Sequence, residues 1–105
     1  MEISVAIGRN VGNEPMPDKE WERFKMDILT MVLKADGTVV VEETGKSQYQ
    51  GEEEEHYRII ANVDSARILD IRRQLGRFAR ERHQWGIALS FVSTTIIGPN
   101  GEQVI

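Results

Sequence analysis

Apolar residues recur in two segments of the chain with the spacing of an amphipathic helix. In each segment they fall at i, i+3, i+7, i+10 and i+11, which gathers them on one side of a helix with about 3.6 residues per turn. The first set is Trp21, Phe24, Ile28, Met31 and Val32, and the second is Ile68, Ile71, Leu75, Phe78 and Ala79. The first helix is predicted to begin at Pro17 or Asp18, and the second to begin at Asp64 and to stop at Gly86.

Four further segments have the pattern of β-strands. They are residues 2–9, 38–43, 57–63 and 87–92. The first and the last alternate strictly, as in Ile3, Val5 and Ile7, which is typical of a strand with one buried face. Residues 44–55 end in four consecutive glutamates and are predicted to form a polar, solvated hairpin or loop.

The element order is therefore strand, helix, strand, strand, helix, strand. Two matching helices separated by a hairpin indicate an α+β fold of the ferredoxin-like βαββαβ type, in which a four-stranded antiparallel sheet carries both helices on one face. A chain of 105 residues is expected to form a single domain, residues 1–105. A barrel-like dimer built from the same unit is also compatible with this order.

Composition limits the chemistry that such a fold can carry. The chain has no cysteine and two histidines, so a thiol nucleophile is excluded, and neither a metal site nor a cofactor is expected. A net charge of −4 makes nucleic acid an unfavoured partner, because phosphate binding needs an excess of Lys and Arg. No apolar run reaches the roughly 20 residues of a membrane span, and the first residues lack the features of a signal peptide. We therefore expect a cytoplasmic protein without membrane contact.

The predicted topology brings several chemically useful residues to one end of the sheet, which we call the upper end. It collects the exit of the first strand, the start of the first helix and the end of the second. The candidate residues there for binding a ligand or partner are Arg9, Trp21, Arg82, His83 and Gln84. An arginine can anchor a carboxylate or phosphate, a tryptophan can form an apolar wall, and His83 or His56 can carry a proton near neutral pH.

A purely structural interpretation of the same residues stays open. Trp21 would then belong to the core, Arg82 would pair with Glu20 or Glu81, and both histidines would be ordinary surface residues. The angle of Arg82 around the helix places it in the middle of the apolar stripe, where a charge needs a partner or an exit to solvent. Either Arg82 pairs with an acid, or the helix has already ended at that residue.

The sheet face away from the helices is expected to need a cover. Its residues are mostly small, namely Ser4, Ala6, Gly8, Ala88, Ser90 and Val92. A flat or concave face of this kind favours a homodimer or higher homo-oligomer, or a ligand held between two copies. RNA-binding domains of this topology stack bases on aromatic residues of the two central strands, and this sequence offers none at those positions.

Four short motifs occur in order along most of the chain. They are Ile7-Gly8-Arg9-Asn10, Asp18-Lys19-Glu20-Trp21-Glu22-Arg23-Phe24, Asp36-Gly37-Thr38-Val39 and His83-Gln84-Trp85-Gly86-Ile87. Together they resemble the landmarks of a family of small bacterial proteins known only as a domain of unknown function. The sequence departs from that pattern at Pro17, where a helix-capping serine is common. The resemblance implies a ferredoxin-like fold and supports a place for Arg9, Trp21 and Gln84 at the upper end, but it implies no known activity. A compact acidic protein of this kind can also be phage-encoded.

Three functions are consistent with these patterns, and the sequence favours the first. It is a non-enzymatic, homo-oligomeric interaction or ligand-binding module that assembles through the open sheet face and contacts a ligand or protein partner at the upper end. The second is a metal-independent enzyme, similar to dimeric α+β barrels, that acts on a small acidic or aromatic substrate, with His83 as acid or base and Arg9 or Arg82 as anchor. In the third, an arginine face on the second helix, formed by Arg73, Arg77 and Arg80, docks an acidic partner.

Overall fold

The computed structural model describes residues 1–49, 51–91 and 94–104. Its helices are α1 (Asp18–Lys34) and α2 (Ile68–Glu81), and a short 3₁₀ turn, Ser65–Arg67, leads into α2. The strands within the described ranges are β1 (Glu2–Gly8), β2 (Asn10–Val11), β3 (Glu14–Pro15), β4 (Thr38–Tyr49), β5 (Glu52–Asn62), β6 (Ile87–Ser90) and β7 (Thr94–Ile97). The predicted α+β class is therefore confirmed. No helix in these ranges is long and apolar enough to cross a membrane.

Five strands form one antiparallel sheet in the order β4-β5-β1-β6-β7. The predicted count of four strands is therefore wrong, because β7 follows β6 in the chain and pairs with it. A separate hairpin, β2 with β3, lies in the segment after β1 that sequence patterns left without an element. The missed strands are only two to four residues long, and so short a strand has too few residues to show a period.

Both helices bury the stripe that the spacing predicts. In α1 all five stripe residues are buried, and in α2 four are buried while Ile68 packs partly buried against the core. The sheet supplies the other side of the core through alternate residues, namely Ile3, Val5, Ile7, Tyr57, Ile59, Ala61, Ile87 and Leu89. Burial of this apolar surface is the main stabilising contribution, and it determines which sheet residues face away from the helices.

The end of α2 agrees with the alternative that the helix has ended by Arg82 and differs from a stop at Gly86. The helix ends at Glu81 and not at Gly86, because His83 adopts a left-handed conformation with φ of 54°. The N–H groups of His83 and Gln84 donate back into the last helical turn, which is the hydrogen-bond pattern of a Schellman motif. Gly86 has another reason to be glycine, since a Cβ at that position would collide with the side chain of Ile96 on β7.

The hairpin of β4 and β5 is longer than predicted. The two strands pair without a break from Val41 with Ile60 to Tyr49 with Glu52. Of the two predictions for residues 44–55, the polar hairpin is therefore confirmed and the loop is wrong, because the four glutamates at 52–55 lie in strand β5. Opposite charges meet across the extension, where Lys46 Nζ lies 3.3 Å from Oε1 of Glu53, which is diagonal to it on the facing strand. A charge run considered alone resembles a solvated tip, whereas pairing with the facing strand gives it order.

Candidate functional site

Arg9 lies at the centre of the upper end. It directly follows Gly8, the last residue of β1. The chain then returns through the β2–β3 hairpin, and three acceptors surround the guanidinium group. Nε donates to the carbonyl oxygen of Met16 at 2.8 Å, Nη1 to Glu55 Oε2 at 2.7 Å, and Nη2 to Asp18 Oδ1 at 2.6 Å. The hydrogen bonds to Glu55 and Asp18 raise the pKa of Arg9 above its ordinary value. The group is therefore a permanent cation held in one orientation.

Glu54 holds the backbone beside Arg9 from the other face of β5. Its Oε2 accepts a hydrogen bond from the N–H of Asn10 at 2.8 Å. Its carboxylate also covers Gly8, where any Cβ would collide with it. Glu55 thus binds the guanidinium group of Arg9, whereas Glu54 binds the backbone of the loop that follows β1. Successive side chains point to opposite faces of a strand, so neighbouring glutamates are expected to have different partners. This expectation follows only once the run is assigned to a strand.

Trp21 is a core residue in the first turns of α1. It is 4% exposed, and its ring meets that of Phe24 edge-on, with 6.2 Å between the ring centroids. The Nζ of Lys25 lies 5.5 Å from the centroid of the indole ring, a distance typical of a cation–π contact. This burial agrees with the structural interpretation of Trp21, although the residue also borders the cleft described below.

Arg82, immediately after α2, is neutralised by acids of α1. Its Nη2 donates to Asp27 Oδ2 at 3.0 Å, and its Nη1 lies 3.8 Å from Glu20 Oε1. Glu81, the other partner considered from the sequence, instead lies 3.6 Å from Arg77. The shorter contact to Asp27 was not predicted, because which residues meet across two helices depends on how the helices cross. The guanidinium group of Arg82 is therefore engaged in contacts between α1 and the end of α2.

Gln84 joins the end of α2 to the loop after β1. The residue is 9% exposed, and its Nε2 donates to the carbonyl oxygen of Asn10 at 3.0 Å. Asn10 is thus held by Gln84 on one side and by Glu54 on the other. His83, by contrast, is exposed and lines neither of the two clefts at this end of the sheet.

A cleft of about 310 Å³ opens beside Arg9 on the helix side of the sheet. It lies between the start of α1 and the extended β4–β5 hairpin. Its charged lining consists of three cations and three carboxylates, namely Arg9, Lys25, Lys46, Asp18, Glu22 and Glu55. A second cleft of about 290 Å³ shares Arg9, Lys46 and Glu55 and extends toward the β2–β3 hairpin. The upper end therefore offers a polar, charge-balanced hollow rather than an apolar pocket.

His56 lines the larger cleft, although it was not among the favoured site residues. It lies opposite Gly8 on β1 and opposite Gly45 on β4, so glycine flanks it on both neighbouring strands. Its ring packs over Gly45, with Cε1 3.0 Å from the position that a Cβ would take there. Its Nδ1 is buried without a hydrogen-bond partner among the described residues. Buried polar atoms are usually paired, so His56 has unused bonding capacity, but its ring lies with Gly8 and Gly45 on the open sheet face and not on the helix side where the cleft opens.

Two further surfaces have the composition that the sequence suggests. On the open sheet face, small residues of β1 lie opposite small residues of β6, namely Ser4 with Ser90 and Ala6 with Ala88. Val92, which was also predicted on this face, lies outside the described residues. On α2, the arginines at 73, 77 and 80 are exposed. Within the described ranges, no group of three or more His, Asp or Glu side chains is placed to hold a metal ion.

Comparisons with known proteins point to a fold and not to a family. No protein-family model and no curated protein matches the chain, so the resemblance to a family of unknown function stays a prediction. Among solved structures, a phage SAM lyase in its apo state is similar, with a TM-score of 0.57 and 14% sequence identity. The similarity covers 92% of this chain and 80% of that chain. At this identity it shows a shared fold alone.

Proposed function

We propose that the protein is a small homo-oligomeric module that binds a small polar ligand in the cleft beside Arg9. The observation that carries this proposal is the cleft, whose volume of about 310 Å³ lies within the range of roughly 300–1,000 Å³ typical of small-molecule sites. Arg9 is held by three acceptors, so one wall of the cleft is already ordered. A preorganised wall lowers the entropic cost of binding.

The charges around the cleft suggest the class of ligand. Three cations and three carboxylates line it, so its charged side chains favour neither a simple anion nor a simple cation. Lys25 lies 2.8 Å from Glu22, and the carboxylates of Asp18 and Glu22 are 93% and 70% exposed. Exposed ion pairs are weak, and a ligand with both charges can replace them with charge-assisted hydrogen bonds of its own. We therefore expect a zwitterionic ligand, such as one carrying a free α-amino acid group.

The copies of the chain are proposed to meet through the open sheet face. Ala6 and Ala88 lie at its centre, and Ile60 and Val41 extend it with apolar surface toward β4. A second copy can cover such a face with the same patch of its own surface. Ala6→Glu places a charge at the centre of this face and is expected to dissociate the oligomer. Arg23→Gln, which changes the net charge equally on the exposed side of α1, is the control.

Native mass spectrometry on protein purified gently from its expression host tests both parts of the proposal. It reads the oligomeric state and any bound mass in one spectrum. A dimer that carries a stoichiometric small molecule supports the ligand-binding module. A dimer without added mass supports assembly alone, and a monomer without added mass argues against the proposal as a whole.

Calorimetric titration locates the ligand. Methionine and S-adenosylmethionine are suitable probes, because both carry a zwitterionic α-amino acid group. Asp18→Asn is expected to weaken binding of either probe about tenfold, which corresponds to about 1.4 kcal/mol. Asp36→Asn is the matched control, since Asp36 is also an exposed aspartate paired with an arginine, at the opposite end of α1. Equal losses in both variants, or no binding of either probe, would contradict the zwitterion assignment.

A second candidate function is a metal-independent enzyme acting on a small substrate. The shared fold with a phage SAM lyase favours SAM as the first substrate to test, ahead of other small acidic or aromatic molecules. In this candidate Arg9 or Arg82 anchors the substrate and His83 acts as acid or base, whereas the ring of His56 lies on the opposite face of the sheet from the cleft. Consumption of SAM, followed by NMR, is expected to stop in His83→Gln and to continue in His56→Gln. Bound but unconsumed SAM would leave the binding module as the better function.

A further inference from the structure

We infer that two copies of the chain also join edge to edge through β4, in one specific antiparallel register. β4 is the outer strand of the sheet and, within the described residues, has a strand neighbour on one side only. The opposite edge is covered by its own chain, because Ile97 of β7 bridges to Gln103 and Ile96 accepts the N–H of Val104. The β4 edge instead offers backbone N–H and C=O groups to a partner strand.

The β4 edge is suited to pairing with its own copy. After an irregularity between Val39 and Val41, the strand continues regularly to Tyr49, which is long enough for an antiparallel pair. Val40 is 55% exposed and Val41 is 37% exposed, so a neighbouring strand would remove apolar surface from water. A partner strand would also satisfy the backbone groups along this edge.

Symmetry and charge together select the register. In a symmetric antiparallel pair, directly opposite residues lie on the same face of the sheet, so one residue lies opposite its own copy at the two-fold axis. An axis at Glu42 or Glu43 would set two carboxylates opposite each other, which is destabilising. An axis at Gly45 would form no ion pair. An axis at Thr44 places Glu42 of each copy opposite Lys46 of the other copy and so forms two cross-strand ion pairs.

This register also connects the assembly to the cleft. Thr44 and Lys46 line the cleft beside Arg9, and they share the helix side of the sheet with Glu42. The second β4 strand would border the cleft and set Glu42 of the second copy beside Lys46. The inference rests neither on a ligand nor on contact through the open sheet face, so either of those can fail while edge pairing holds.

Charge reversal tests the register by sedimentation velocity over a range of concentrations. Lys46→Glu opposes two pairs of carboxylates in each dimer and is expected to weaken self-association about tenfold or more. Glu42→Lys opposes two pairs of ammonium groups and is expected to have a similar effect. The double variant E42K/K46E restores both ion pairs with reversed polarity, so its dimer is expected to be more stable than that of either single variant, although it lacks the acceptor that Glu42 provides for the Tyr57 hydroxyl.

A second double variant controls for the hairpin itself. Lys46 also lies 3.3 Å from Glu53 of its own hairpin, so Lys46→Glu removes an internal ion pair as well. The variant K46E/E53K restores the internal pair but leaves carboxylates opposed across the dimer, and it is expected to stay dissociated. Recovery in K46E/E53K without recovery in E42K/K46E would refute the pair between copies.

Crosslinking locates the two-fold axis directly, because the chain has no cysteine. Thr44→Cys is expected to give a covalent dimer on oxidation or with a short thiol crosslinker, since opposite residues have adjacent Cβ atoms. Gln48→Cys, further along the same strand, is expected to stay uncrosslinked. A protein that is monomeric at every concentration, or that crosslinks through residue 48 instead of 44, overturns the inference. So does a dimer that withstands both charge reversals and dissociates only on Ala6→Glu, because its copies meet through the open sheet face.

Discussion

The guanidinium Nη1 of Arg9 donates a hydrogen bond to Glu55 Oε2 at 2.7 Å and so joins the end of β1 to the extended part of β5. Nε of the same group binds the carbonyl oxygen of Met16 and holds the β2–β3 hairpin. We expect Arg9→Lys to lower the urea midpoint of unfolding, because one ammonium group cannot reach acceptors in three directions. Arg23→Lys, at an exposed position of α1, is the control. If both variants unfold at the wild-type midpoint, the network does not support the fold.

Arg82 should be coupled more strongly to Asp27 than to Glu20. The contact to Asp27 is a hydrogen bond of 3.0 Å, whereas the nearest approach to Glu20 is 3.8 Å. Both acids are more than a third exposed, so solvent screens the pairs, and we expect a coupling of about 0.5–1 kcal/mol for Asp27 and close to zero for Glu20. Double-mutant cycles with Arg82→Met, Asp27→Asn and Glu20→Gln, measured by urea unfolding, give the two values. A larger coupling for Glu20 would contradict the observed pairing.

The parts of the fold that sequence patterns predict are those set by short-range spacing. The stripes of α1 and α2 are visible because burial of one helix side repeats within a single segment. The order of the elements then places Arg9 and Gln84 at one end of the sheet, where Gln84 binds the carbonyl oxygen of Asn10 and Arg9 binds that of Met16. The direction and order of the helices and strands were sufficient for this placement, because neither depends on strand register.

Other features depend on which residues of different strands face each other. His56 attracts attention only because Gly8 and Gly45 flank it on two separate strands, and no spacing along the chain shows that. The contact of the Glu54 carboxylate with the chain beside Arg9 likewise depends on its position over Gly8. Cross-strand register is set by the packed sheet as a whole, so this part of the candidate site was beyond sequence periodicity.

Substitution of Gly76 is expected to destabilise the protein, although the residue lies within a helix. A Cβ there would lie 2.5 Å from the backbone nitrogen of Gly101 and 2.6 Å from its Cα, so α2 and the last turn touch backbone to backbone. In an exposed helix, Gly→Ala would stabilise by up to about 1 kcal/mol. Here we expect Gly76→Ala to destabilise by about 1–3 kcal/mol through overpacking, as measured by urea unfolding.

Arg73→Ala, at an exposed position of the same helix, serves as the control and is expected to change stability by less than about 0.5 kcal/mol. Hydrogen exchange at Gly101, whose N–H donates to the carbonyl oxygen of Gly98, reports directly on the last turn. Faster exchange there in Gly76→Ala would show that the turn moves away. A Gly76→Ala protein more stable than the wild type would mean that the close approach is absent in solution.

Tyr57 should make the protein sensitive to alkaline pH. Burial raises the pKa of its phenol, and the hydrogen bond that it donates to Glu42 Oε1 at 2.8 Å raises that pKa further. In the unfolded chain the phenol titrates near its ordinary value of about 10. Above that pH the unfolded state releases a proton that the folded state keeps. The contribution of this group is therefore complete below about pH 10 and is lost as the pH rises toward the folded pKa.

Tyr57→Phe removes both the hydrogen bond and the titration. Near neutral pH we expect the variant to be less stable by about 1 kcal/mol, the usual net value of one hydrogen bond. Because the variant has no phenol to deprotonate at this position, its stability should fall less steeply with pH than that of the wild type. Urea unfolding of both proteins from about pH 7 to about pH 11 should therefore show the difference shrinking above about pH 10. A difference that stays constant over this range would mean that the phenol is already accessible to water in the folded protein.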